Sequence, residues 1–397
     1  MTVAAASPAA GRLQRLRAYL EQDPSNAALL AEACDAAIAC GAHEEAQRLI
    51  ASAERLALDP AQWLFRRARL AIARRELVAA AGLLERLQAM VGEGPVLAHD
   101  LAYVRLLQGD FEACRAGVQP WLDVARAGGP EPLEALQVLW LRAMHRLQQL
   151  DEAVAWARAQ LAAGTLQPHA LGAASLIALD QEEFDAAREW ADAALAVDAQ
   201  QVEALVARGS VALAGGDAGR ATELLQQALR CNPEDGRTWS ALGMASLQAG
   251  DLPLAQSQLE EAVRRMPDHV GTWHALGWAR LLQGARPDAL AAFRAALAID
   301  RNFAETHGAL GLVLALSGQR DEAHHHLELA DRLDPANVTG RYARALLAGE
   351  AGDRAAIERL ARRLLDRGGF FGGPLGEAVL RHTRARDRNG RNGPQRN

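Results

Sequence analysis

The residues with the most obvious chemical potential are three adjacent histidines, His324-His325-His326, together with four cysteines and many arginines. Imidazoles suit a borderline divalent ion. Successive helical residues, however, point about 100° apart, so three in a row do not converge on one ion. The pairs one turn apart, His324 with Glu328 and Glu322 with His326, would chelate only weakly, and the competing reading is a solvated helix face. No metal site is expected.

The cysteines, Cys34, Cys40, Cys114 and Cys231, form no C-x-x-C pair, so neither a zinc site nor a thioredoxin-type centre is suggested. Four thiols in 397 residues suit a reducing compartment. Lysine is absent, and all 43 basic residues are arginine. A Walker A loop, a pyridoxal Schiff base and a protein-kinase β3 position each need a lysine, so those three classes lose their key residue. The simplest source of the absence is codon bias in a GC-rich genome. No H-E-x-x-H, G-x-S-x-G or G-x-G-x-x-G occurs. The expectation is a protein that is not an enzyme and holds no cofactor.

Charge points the same way. The net charge of −6 argues against nucleic acid as the main partner, which needs a concentrated basic surface. The stretch from Gly372 to the end carries six Arg against Glu377 and Asp387, a local +4 on a remainder of −10. The Arg-rich stretch RRARLAIARR, 66–75, reads as an exposed helix flank or as a surface for an acidic partner. The opening residues show no basic region followed by an apolar run, so no secretory signal is read there. The longest uncharged stretch, 161–179, is interrupted by Gln167, Pro168 and His169 and is not read as membrane-spanning. Cytoplasmic placement is the expectation.

The elements that must carry these residues follow from a period. TWSALGMASLQAG at 238–250 returns as TWHALGWARLLQG at 272–284 and as THGALGLVLALSG at 306–318, a step of 34 residues. With Gly236 as position 1, position 8 reads Ser175, Gly209, Gly243, Gly277 and Gly311. Position 20 is Ala in five successive units, from Ala187 to Ala323, and position 27 is Ala from Ala194 to Ala330. Small residues at positions 8 and 20 let two helices cross closely, and position 27 leaves room for the next unit. Large apolar residues at helical spacing fill the rest. Gly-Asp near position 15 marks a turn, and Pro253 and Pro287 fall in the first turn of a second helix. Half the residues are hydrophobic but only 5% aromatic, with Ala and Leu dominant, which favours helix over strand.

This pattern resembles the tetratricopeptide repeat family, closely over 168–337 and more faintly upstream in units starting at Ala27, Ala61, Pro95 and Glu134. The resemblance implies an all-α, right-handed superhelical α-solenoid of about ten helix-turn-helix repeats. The expected organisation is an N-terminal capping helix (1–26), N-terminal repeats (27–133), C-terminal repeats (134–371) and a basic, mobile tail (372–397). Extra residues near 126–132 separate the two stretches.

The resemblance also implies that positions 2, 5, 9, 12 and 13 of each unit face a concave groove. One zone would then be an apolar trough of Met244, Leu247, His274, Trp278, Leu281 and Leu312, suited to a partner's helix or extended segment, unless these side chains pack on neighbouring helices. A second zone would carry Arg69, His99, Tyr103, Arg142, His145 and Arg146, with Phe65 beside them. That zone reads either as a grip for an acidic peptide or as a solvated face laced with ion pairs. The family's Lys-and-Asn carboxylate clamp has no counterpart, since there is no Lys. The expected function is a non-enzymatic scaffold or adaptor that binds a protein partner or peptide segment in the groove. Two alternatives come from different classes. One is an assembly factor or subunit of a bacterial secretion, pilus or envelope-polymer export machine. The other is a nucleic-acid-binding helical repeat.

Overall fold

The computed structural model describes residues 8–124 and 133–348, and every regular element among them is an α-helix. A leading helix, α1 (Pro8–Gln22), precedes ten first helices. These are α2 (Ala27–Ala39), α4 (Pro60–Ala73), α6 (Pro95–Gln108), α8 (Leu133–Arg146), α10 (Pro168–Asp180), α12 (Val202–Ala214), α14 (Gly236–Ala249), α16 (Val270–Leu282), α18 (Ala304–Leu316) and α20 (Val338–Leu347). The second helices are α3 (His43–Arg55), α5 (Leu77–Val91), α7 (Phe111–Val124), α9 (Leu150–Ala162), α11 (Phe184–Val197), α13 (Ala218–Cys231), α15 (Leu252–Arg265), α17 (Arg286–Ile299) and α19 (Arg320–Leu333). First helices start within one residue of the positions the 34-residue period predicts. The inserted stretch at 126–132, the second helix of the last repeat and the basic tail lie outside the described residues. The chain divides into two compact units, one ending at Ile177 and one starting at Ala178, with the division inside α10.

Within the C-terminal unit each helix packs on the next, and the small residues sit where helices meet. The position-20 alanines from Ala187 to Ala323 and the position-27 alanines from Ala194 to Ala330 are wholly buried. A Cβ on Gly243 would stand 2.5 Å from Leu259, and one on Gly277 would stand 2.5 Å from the Phe293 ring. Position 8 is therefore glycine because position 24 of the facing helix, large and wholly buried, occupies the space a side chain would need. Burial of one such side chain contributes about 2 kcal/mol. Asp217, Asp235 and Asp251 accept hydrogen bonds from backbone N–H groups in the first turns they precede, satisfying donors that the helix cannot. Gly250 closes α14 in the left-handed region at φ 84°.

One polar bond repeats with the fold. Trp239 Nε1 donates to the Pro233 carbonyl at 2.9 Å, and Trp273 Nε1 to that of Pro267 at 2.7 Å. In the next two repeats His307 Nε2 donates to Arg301 O at 2.9 Å, and Arg341 Nη2 to Pro335 O at 2.7 Å. Four side chains of three chemistries, 34 residues apart, tie each first helix to the turn before it.

The N-terminal unit fills the same positions differently. Position 8 is Cys34, Ala68, Ala102 and Leu141, and position 24 is Ile50, Leu84, Val118 and Ala157. All eight are buried. The last pair reverses the order, with the large residue at position 8 and the small one at position 24.

Candidate functional site

The two zones expected to face a groove differ in accessibility. In the C-terminal unit, Met244 and Trp278 keep only 8% of their surface, Leu312 keeps 5%, His274 1% and Leu247 none. Leu281 alone of the six is half-buried. The reading of these residues as an open apolar trough is corrected accordingly: five of them are core. The physical reason is visible around α16. Trp278 Nε1 donates to His274 Nε2 at 2.9 Å, and Trp278 and His274 both pack on Phe293 of α17. Phe303 adds an edge-on contact to the same imidazole. Burial holds His274 neutral, with its pKa pushed down to about 3.

In the N-terminal unit the corresponding side chains stay within reach. Phe65, His99, Tyr103 and His145 are half-buried, and Arg142 and Arg146 are exposed. Arg69 keeps 45% of its side-chain surface. Its guanidinium lies 5.9 Å from the centre of the Phe65 ring, one turn before it on α4, and 3.6 Å from Asp35 of α2. On α6, His99 and Tyr103 are again one turn apart, with parallel rings 6.5 Å between centres, and Asp100 meets His99 Nδ1 at 2.9 Å. On α8, which packs against α6, Arg146 lies 5.1 Å over Phe111. Along α4, α6 and α8 the first helices thus carry aromatic rings and guanidinium groups, able to stack on side chains and to bind carboxylates.

The Arg-rich stretch behaves as a structural flank. Arg66 meets Asp35 at 3.0 Å, Arg67 meets Glu54 at 3.2 Å and Arg74 meets Glu44 at 3.0 Å. These pairs leave it without the concentrated positive field that nucleic acid requires.

The histidine run contributes one member to a contact that the sequence reading missed. His326 Nδ1 lies 3.0 Å from His307 Nδ1, across the α18–α19 pair. Because His307 Nε2 must carry a proton to donate to Arg301, its Nδ1 is the acceptor and His326 Nδ1–H the donor. A proton thus occupies the line between the two nitrogens, where chelation would need both lone pairs free. No group of three potential ligands occurs among the described residues. Cys34 and Cys114 are buried thiols whose pKa values burial pushes up to about 12, so neither supplies a thiolate at neutral pH. No described helix is long and apolar enough to cross a membrane.

Residues 173–236 and 212–277 match two family models, both described as tetratricopeptide repeat. No curated protein matches the sequence. Among solved structures, the APC/C hetero-tetramer Cut9–Hcn1 is similar over 79% of this chain and 62% of its own, at 14% identity and a TM-score of 0.58, which shows a shared fold. YrrB, described as a TPR protein with an unusual peptide-binding site, is 22% identical over 44% of this chain and 90% of its own, with a TM-score of 0.37. MamA is 22% identical over 40% of this chain and 92% of its own, with a TM-score of 0.36. The 34-residue register, the paired helices with small residues at their crossings and the two repeat matches agree: residues 173–277 are tetratricopeptide repeats, and the helix pairs on either side share their fold.

Proposed function

We propose that the chain is a non-enzymatic scaffold that holds an acidic segment of a protein partner along the first helices of its N-terminal unit, from α4 to α8. The tetratricopeptide repeat is a protein-interaction fold, and fold alone leaves the binding surface open. The observation that supports this surface is the contrast in reach. Phe65, Arg69, His99 and Tyr103 keep exposed area on their helices, while Met244, His274, Trp278 and Leu312 at matching positions of the C-terminal unit are buried. Half-buried aromatics beside arginines supply contact area at small entropic cost, together with directional bonds to carboxylates.

The test is affinity capture from cell extract with the full chain. A variant combining Arg69→Glu and Tyr103→Ala is expected to lose the proteins that wild type retains, with an unchanged thermal midpoint. Leu281→Ala, the reachable position of the other zone, is expected to retain them. Loss with Leu281→Ala alone, or full retention by the double variant, moves the binding surface elsewhere.

A further inference from the structure

The residue preceding each first helix of the C-terminal unit occupies one register position, and successive repeats fill it with Gln201, Asp235, His269, Phe303 and Asn337. Asp235 and Asn337 cap in the ordinary way, accepting from Thr238 N and Gly340 N. His269 performs the same task with an imidazole. Its Nδ1 accepts the Thr272 backbone N–H at 3.2 Å and lies 2.7 Å from Thr272 Oγ1. A ring nitrogen that accepts a backbone N–H carries no proton, so the Thr272 hydroxyl donates to it and the ring is the neutral Nε2–H form. Thr272 has then spent its only hydrogen, and Ser240 of α14, 3.1 Å away, must donate to Thr272 Oγ1. A single lone pair thereby shares the capping of α16 with the His269 carbonyl and closes a chain of hydrogen bonds, Ser240 to Thr272 to His269, that joins the first helices of two neighbouring repeats.

We propose that His269 is a proton-sensitive latch on the joint between α14 and α16, closed when the ring is neutral and released when Nδ1 takes a proton. Protonation fills the lone pair. The hydroxyl chain can reverse its direction, with Nδ1–H donating to Thr272 Oγ1, but the Thr272 backbone N–H, shared at 3.2 Å between the ring and the His269 carbonyl, loses the ring as an acceptor and keeps only that carbonyl, as Thr306 does behind Phe303. The new positive charge also stands at the positive end of the α16 dipole. The charged groups facing the ring are Arg237 of α14 and Asp180 at the end of α10, which pair with each other. Burial first, then Arg237, lowers the affinity of the ring for a proton, and Asp180 opposes them. His274 is sealed in the core with 1% of its surface exposed, whereas His269 lies at the surface, where a proton reaches it without unfolding the unit.

The direction follows from linkage. A histidine whose folded pKa is below its unfolded value contributes its full stabilisation above about pH 6.5 and loses it as pH falls toward the folded pKa, by at most about tenfold per pH unit. Hydrogen exchange on the full chain between pH 7 and pH 5, corrected for intrinsic rates, reads the first turn of α16 directly. In wild type the protection of that turn is expected to fall with a slope approaching tenfold per unit. In His269→Asp, which places the Asp235 arrangement at this position, the local slope should vanish. His269→Asn, which copies the Asn337 cap, provides a second non-titrating version if the added carboxylate disturbs the Arg237–Asp180 pair. Acid also weakens the unit through its buried histidines, but equally in all three proteins, so the difference between them isolates His269. Parallel slopes in wild type and both variants, or an unchanged wild-type turn down to pH 5, overturn the proposal.

Discussion

The two units carry the same helix pairs with unequal regularity. The C-terminal unit repeats one packing solution: glycine at position 8 against a large residue at position 24, as in Gly243 with Leu259 and Gly277 with Phe293. Four of its turns close with glycine in the left-handed region, at Gly216, Gly250, Gly284 and Gly318, and the first holds Glu182 there at φ 59°. The N-terminal unit reaches comparable burial with four different pairs, ending in Leu141 and Ala157. Its turns alternate, with Gly41 and Gly109 in that region but Arg75 at φ 61° and Gln148 at φ 59°. The fold thus constrains the sum of two facing side chains more tightly than either one. The less regular unit is also the one that keeps Phe65, Arg69, His99 and Tyr103 within reach at register positions where Met244, His274, Trp278 and Leu312 of the other are buried.

The largest expected effect tests that sum. Gly277→Leu alone forces a side chain into the Phe293 ring and should destabilise the C-terminal unit by about 3 kcal/mol or more. Phe293→Ala alone leaves a cavity and should cost about 3–5 kcal/mol. Combined, they install the Leu141–Ala157 pairing in the other unit and should recover part of both losses, a coupling of about 1–3 kcal/mol. Urea unfolding of the four proteins, read by hydrogen exchange in each unit, checks this. Strictly additive losses would mean that the two positions do not share space.

The next effect separates the units by pH. His274 has its pKa lowered to about 3 by burial, so its contribution is complete above its unfolded value near 6.5 and declines as pH falls below it. At pH 5 the loss should be about 2 kcal/mol, confined to the C-terminal unit. Cys34 and Cys114 reverse the sign. Burial, with Asp35 and Asp110 adding to it, raises their pKa values to about 12, so stability is complete below the unfolded thiol value and declines as pH rises past it. At pH 10.5 each buried thiol should cost the N-terminal unit about 2 kcal/mol. Cys114→Ala and Cys34→Ala, which install the residues found at the same positions of other repeats, should remove that alkaline sensitivity. Equal acid and alkaline profiles in the two units would contradict the assignment.

The helix register was legible because its signal is local and redundant: glycine, alanine, turn and proline recur together every 34 residues. The site was less so. Trp278 and Met244 occupy groove positions by count, but a position number does not reveal what lies above the side chain, and the structure buries them. His307 escaped notice because its partner His326 is 19 residues away on another helix. A signal for its other bond did exist. Trp239, Trp273, His307 and Arg341 look like unrelated residues at one position, yet each carries an N–H able to reach the preceding carbonyl. Reading residues by donor capacity would have aligned them. The cap at His269 was hidden likewise, since imidazole replaces the customary carboxylate as an acceptor.

Smaller changes sharpen the contrast at the turns. Arg75 holds a left-handed conformation that costs a non-glycine residue about 1 kcal/mol. Arg75→Gly should recover most of that, less the entropy glycine adds to the unfolded chain, and should raise the protection of α4 and α5. The same substitution logic at Gly250 runs in reverse: Gly250→Arg should lower the protection of α14 and α15 by a similar amount. If both changes are neutral, the left-handed turn carries no strain and glycine at position 15 has another cause.

The smallest expected effect lies one residue further on. Asp110, Asp217 and Asp251 share a register position, and each accepts a backbone N–H in the first turn of the second helix it precedes. Glu76 holds that position before α5 and makes no such bond, although its backbone, at φ −82° and ψ 62°, is close to that of Asp251 at −85° and 79°. The backbone is therefore already placed for a cap, and the extra methylene carries the carboxylate past the amide. Glu76→Asp keeps the charge, removes that methylene and should stabilise α5 by about 0.5–1 kcal/mol. Charge at the helix N-terminus is nearly the same before and after, so a gain reports the hydrogen bond rather than the dipole. Asp110→Glu is the mirror experiment and should cost α7 the same amount. A gain at α5 without a matching loss at α7 would place the difference in the unfolded chain, and no change at either would mean that the aspartate cap adds nothing to these second helices.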